Sequence, residues 1–177
     1  MPQPVRTLEQ ARHLLATVFD PNREFLVIES RHGWVAQPRL TMEEQQQGMG
    51  LGQGSFVINK ETGVITSHSS SLPMDLTGQE FDQAIENRTP VQGYQVYPPQ
   101  RRIDLRKVAE DQNTIHYQLL ITDLTRPDTP PTPEQLTITK HQYGYHPTST
   151  MHAIATSWAW RVNETTGAWP NEGTTQV

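Results

Sequence analysis

The chain contains no cysteine, which excludes disulfide frameworks, thiolate nucleophiles and cysteine-ligated zinc, and fits a reducing cytosol. Apolar material is scarce as well. Hydrophobic residues make up 34% of the sequence and mean hydropathy is -0.65, which predicts a modest core under a polar surface. No run approaches the roughly 20 apolar residues of a membrane helix, and positions 1–10 hold no apolar core after a basic start. A soluble, unprocessed, cytoplasmic protein without membrane association is expected. Positive charge is also in deficit, with 14 Lys and Arg against 19 Asp and Glu and a net charge of -5. A partner bound by neutralising phosphates, such as nucleic acid, is therefore not expected; a basic partner is favoured.

The 177 residues and 14 prolines suit one loop-rich domain or two small halves. Thr7-Leu8-Glu9-Gln10 is a capping box, and Leu8, Ala11, Leu14, Leu15 and Val18 follow at helical spacing. Phe25-Leu26-Val27-Ile28 reads as a buried strand, turned by Arg31-His32-Gly33 into Trp34-Val35-Ala36. Thr41–Gly50 is glutamine-rich and acidic, an exposed loop or frayed short helix.

Residues 50–66 form the clearest local signal. A glycine-rich approach enters Phe56-Val57-Ile58, a polar turn closes on a left-handed Gly63, and Val64-Ile65 returns as the second arm of a hairpin. Phe56 and Ile58 belong to one face, Val57 and Asn59 to the other. Gly50-x-Gly52-x-Gly54 is in the wrong order for a phosphate cradle, because it leads into a strand and opens no helix.

Thr77-Gly78-Gln79-Glu80 offers a second capping box for a helix carrying Phe81, Ala84 and Ile85, stopped before Pro90. Val91–Tyr97 alternates as a strand. Residues 103–112 read as a short helix, 114–124 and 136–142 as strands around a proline-dense connection, and Met151–Val162 as another alternating strand. The polar residues after Pro170 read as a disordered tail. An Asn-x-x-Thr-Gly echo relates Asn59–Gly63 to Asn163–Gly167, either through shared turn chemistry or as a duplicated hairpin.

Candidate chemistry is thin. His141, His146 and His152 cluster without a recognised metal-ligand spacing. Ser69–Ser71, His68, Asp75, Glu80 and Asp82 are close in sequence, but a serine-histidine-acid set is defined by geometry. Neither a catalytic group nor a cofactor is assigned. Trp34, Glu43, Glu44, Asp75, Asp82 and Trp158 are the candidate partner-binding residues, chosen by residue type and expected exposure.

From Thr7 to Pro73 the sequence resembles the YrhB-like family of bacterial immunity proteins. The likeness rests on a helix with Ala11 and Leu14-Leu15, a strand, Gly33-Trp34-Val35, a spacer, and Gly52-Gln53-Gly54-Ser55-Phe56-Val57-Ile58-Asn59-Lys60-Glu61-Thr62-Gly63. That family has, approximately, Gly-Asn-Gly-Pro, two apolar residues, Val-Asp-Lys and a glycine-closed turn. This chain keeps the glycines, the apolar run, Lys60 and Gly63, and departs at Gln53, Ser55, Ile58 and Asn59. The resemblance implies an α+β fold and a cytosolic, non-enzymatic immunity protein that occludes a cognate polymorphic toxin. It brings no catalytic residues with it.

The expected architecture is an antiparallel sheet with two or three helices packed on one face. Residues 1–97 form the immunity-type region, 98–170 a β-rich continuation or second lobe, and 171–177 the tail. Two other functions are compatible with the sequence: a small metal-dependent hydrolase using His141, His146 and His152, and a ligand-binding or phage-type structural module.

Overall fold

The computed structural model describes residues 2–48, 53–142 and 144–177, so the expectations that rest on Gly50 and Gly52 lie outside the described residues. The fold is α+β, and the described residues form two antiparallel five-stranded sheets and four helices in two compact units, 1–98 and 99–177.

In the first unit, α1 (Leu8–Val18) is followed by β1 (Phe25–Glu29), β2 (Gly33–Pro38), α2 (Met42–Gln46), β3 (Ser55–Asn59), β4 (Ile65–His68), α3 (Met74–Asn87) and β5 (Tyr94–Tyr97). The strands lie side by side in chain order, each antiparallel to the next. The Thr7 capping box forms: Thr7 Oγ1 accepts the Gln10 N–H, and the Gln10 side chain accepts the Thr7 N–H. Thr41 and Glu44 build the same box on the five-residue α2, whose residues are largely exposed.

The alternation in β3 divides the core of this unit. Phe56 and Ile58 join Ala11, Leu15, Trp34, Ala36 and Ile65 on the α1 face, whereas Val57 joins Val35 and Phe81 on the α3 face. The helices therefore cover opposite faces of the sheet, not one face. The cause is that β2 and β3 are apolar on both sides, which demands two covers. Helix α3 begins about one turn earlier than its expected capping box, with its N-cap at Pro73 in place of Thr77. Met74 packs into the core beside Ile28, so Pro73 takes the N-cap position, and Thr77 lies inside the helix with its hydroxyl bonded to the Pro73 carbonyl at 3.0 Å.

The second unit contains β6 (Arg101–Glu110), β7 (Thr114–Asp123), β8 (Thr132–Thr139), β9 (Gly144–His146), α4 (Thr150–Thr166) and β10 (Glu172–Gln176). Its strand order is β10-β6-β7-β8-β9. Ile103, Leu105, Ile115, Tyr117, Leu119, Leu136 and Ile138 form the inner face, which packs on Ala155 and Ala159 of α4. Pro133 lies in β8, but β9 pairs only with Thr137–Thr139, so beyond them β8 borders β7 alone and accommodates proline.

Three segments differ from expectation here. Residues 151–162 are helical: the buried residues His152, Ala155, Thr156 and Ala159 repeat at three- and four-residue spacing, and Ser149 caps the start. Residues 103–110 are strand, because Ile103 and Leu105 face the core two apart while a bulge turns Val108 outward. The expected tail forms β10, whose five residues pair with β6. The Asn-x-x-Thr-Gly echo is shared turn chemistry: Gly63 (φ +69) closes a hairpin, and Gly167 (φ +75) ends α4.

Candidate functional site: an acidic helix face beside a polar cleft

Helix α3 buries Thr77, Gly78, Phe81 and Ala84 and turns Asp75, Leu76, Gln79, Glu80, Gln83 and Glu86 to solvent. Three carboxylates thus share an exposed helix surface with Leu76, whose exposure is 41%. Beside this helix lies a cleft of about 610 Å³. Its walls include Glu80, Gln83 and Asn87 from α3, His68 at the end of β4 with Ser69, Ser71 and Leu72 after it, and Gln92–Gly93 before β5. Half of the lining residues carry amides or hydroxyls, which suit hydrogen bonding, and Leu72, Ala84 and Pro90 add apolar surface. Glu80 supplies the negative charge.

Burial pushes the His68 imidazole below its usual pKa, which favours the neutral ring at pH 7. Its Nε2 lies 2.8 Å from Thr66 Oγ1, while Ser69 Oγ meets Ser71 Oγ at 3.0 Å. His68 is thus held by a threonine, and the two serines are held by each other. Asp82 points elsewhere. The sequence neighbours His68, Ser69, Ser71 and Glu80 do share one cleft, but no nucleophile–base hydrogen bond links them.

Asp82 is occupied at the β1–β2 turn. Its Oδ1 accepts the Ser30 hydroxyl at 3.0 Å and the His32 N–H at 2.8 Å, and Oδ2 accepts the Arg31 N–H at 2.9 Å. One turn along the helix, Glu86 pairs with Arg31 at 2.7 Å, and that hydrogen bond, with one from His32, holds its pKa below the usual carboxylate value. Helix α3 is therefore clamped to the first hairpin by two acids.

Of the six candidate contact residues, Glu43 and Asp75 are exposed. Glu44 is committed to Arg23 at 2.7 Å and to the Thr41 cap. It lies at the open end of the β1–β2 hairpin, whereas Asp82 lies at the turn end, a strand length of roughly 17 Å away. Trp34 is a core residue, 5% exposed, with its indole N–H donated to the Val5 carbonyl at 2.8 Å and Lys60 Nζ 4.8 Å from its ring centre. Trp158 packs against the core of the other unit with its ring over Gly173. Both tryptophans give their area to folding, as their size favours.

The three clustered histidines do not converge. His152 is buried on α4, with Nδ1 2.7 Å from Ser149 Oγ and Nε2 3.1 Å from the Gln135 carbonyl, while His141 and His146 are exposed. Among the described residues, no group of three or more His, Asp or Glu side chains is arranged to hold a metal ion. Nor, among the described residues, is any helix long and apolar enough to cross a membrane.

Leu76, Gln83, Asn87 and Gln92 are site residues that sequence reasoning missed. The first three were within reach, because 76, 80, 83 and 87 fall on one helical stripe opposite Phe81 and Ala84. Gln92 joins them only through the chain reversal before β5. Comparison with known proteins finds no matching family model, curated protein or solved structure.

Proposed function

We propose that the protein is a cytoplasmic immunity protein, a non-enzymatic partner that binds a cognate bacterial toxin and occludes its active site. The observation that carries this reading is the exposed face of α3. Asp75 and Glu80 flank Leu76 on this face, with the amides of Gln79 and Gln83 beside them, a charged rim at an apolar contact. Such a face suits a basic protein surface, and the excess of acids over bases in the chain draws that partner in. The resemblance of residues 7–73 to YrhB-like immunity proteins supports the same reading.

Occlusion needs an interface of about 1,200–2,000 Å² in total, which one helix and the adjoining cleft begin to supply. The test is coexpression with the toxic product of the adjoining reading frame. Growth should be rescued by the parent chain and weakened by Asp75→Lys with Glu80→Lys. Undiminished rescue by that folded double variant would place the interface elsewhere, and failure of rescue by the parent would remove the immunity reading.

A further inference from the structure

β1 is the edge of the first sheet, bordered by β2 alone. The flanking bonds fix which of its groups face outward. The Arg39 N–H donates to the Glu24 carbonyl and the Ser30 N–H to the Gly33 carbonyl, so residues 24, 26, 28 and 30 bond toward β2. The backbone N–H and C=O groups of Phe25, Val27 and Glu29 therefore point away from the sheet.

This edge lacks the usual protections against strand pairing. It has no proline and no bulge, its only charge is the terminal Glu29, and Leu26 is 44% exposed. The opposite edge differs. β5 meets β4 across a register shift and is closed by Pro98-Pro99.

We propose that a second copy of this chain occupies the β1 edge, the two sheets joining across a two-fold axis at Val27. The strand is self-complementary in that register. Val27 opposes Val27 and Phe25 opposes Glu29, which are the outward-facing positions, so all five residues of each strand overlap. Each such pair exchanges its two backbone hydrogen bonds. Leu26 then falls opposite Ile28 in a close non-hydrogen-bonded pair, which covers the exposed leucine. Beyond the strand, Arg23 comes opposite Arg31. Each is already neutralised within its own copy, Arg23 by Glu44 and Arg31 by Glu86, both at 2.7 Å. Glu29 stands diagonal to Arg23 of the other copy, an attractive placement. This pairing stands independently of the immunity reading.

The experiment is sedimentation equilibrium of the full chain and of Leu26→Lys, together with oxidation of a Leu26→Cys/Ile28→Cys variant. The protein has no native cysteine, so a dimer whose disulfides map to position 26 of one copy and position 28 of the other reports this register, whereas links between the two positions 26 or the two positions 28 do not. A doubled mass for the parent, a single-chain mass for Leu26→Lys and a covalent dimer from the cysteine pair are expected. If Leu26→Lys fails to fold, the cysteine pair decides. A parent that is monomeric throughout overturns the proposal, as does a dimer that survives Leu26→Lys while the cysteine pair stays unlinked. A monomeric parent whose toxin capture is lost in Leu26→Lys also overturns it, assigning the edge to a partner's strand.

Discussion

Removing the Asp82 carboxylate separates a structural role from a contact role, because the same side chain was a partner-binding candidate and is found holding a turn. Asp82→Ala strips the acceptor from the Ser30 hydroxyl and from the Arg31 and His32 N–H groups. A hydrogen bond to a charged group is worth about 1.5–3 kcal/mol. Arg31 is exposed, so water replaces that partner at little cost, and the Ser30 hydroxyl retains the Gly33 carbonyl at 3.2 Å. The His32 bond and the weakened Ser30 bond remain, giving a loss of about 2–3 kcal/mol. Asp82→Asn keeps one oxygen for His32 but sets an N–H₂ against the Arg31 donor, for a loss of about 1–2 kcal/mol. Urea denaturation measures the stabilities, and hydrogen exchange at the Arg31 and His32 amides localises the change. A stability within about 0.5 kcal/mol of the parent for Asp82→Ala, with both amides still protected, would refute the argument.

Other expectations rest on separate features. Gly63→Val should lower stability by about 2 kcal/mol or more, since φ is +69 and the new Cβ meets the Gln3 carbonyl; thermal unfolding checks this, and an unchanged midpoint counts against it. Gly173→Ala should cost about 1–3 kcal/mol by pushing a methyl into the Trp158 ring. Adding Trp158→Leu should make that alanine nearly free, and additive effects in the double variant would show that the two sites are uncoupled. Burial lowers the pKa of His68, so the folded state prefers it neutral. Its stabilising effect is complete above the unfolded value of roughly 6.5 and is lost as pH falls from there toward the depressed folded value. His68→Gln should flatten the stability profile over that window, and an identical slope would rule the residue out.

The legible parts of the fold were those where local chemistry and packing agree. The Thr7 cap, the Gly63 turn and the two-faced alternation of β3 are short-range signals that the tertiary structure keeps. Met151–Val162 misled because its small and aromatic residues alternate over a few positions, while Ala155 and Ala159 carry the longer helical period that packs on the sheet. Residues 172–176 looked like a tail because a polar strand on a sheet edge buries little and has no hydrophobic signature. The Phe25–Ile28 run read as a buried strand because it is wholly apolar, yet no residue of β1 is fully buried and Leu26 is exposed, since sequence periodicity carries no mark of an edge position. Site residues were the least legible, since Trp34 and Asp82 have the chemistry of contact residues and were already in use inside the fold.

Lys60 gives the turn end of the first sheet its mechanical character. Its carbonyl accepts the Val5 N–H at 2.8 Å, its N–H donates to the His32 carbonyl at 2.9 Å, and its Nζ reaches the Ser30 carbonyl and Glu29. One residue thereby fastens the N-terminal segment and the β1–β2 turn to the β3–β4 hairpin, and Asp82 and Glu86 bolt α3 to the same turn. That corner is a stiff plate. On the proposed reading, a partner that engages α3 there would meet groups already held in place, so little motion would be left to freeze on contact and more of each contact would survive as affinity.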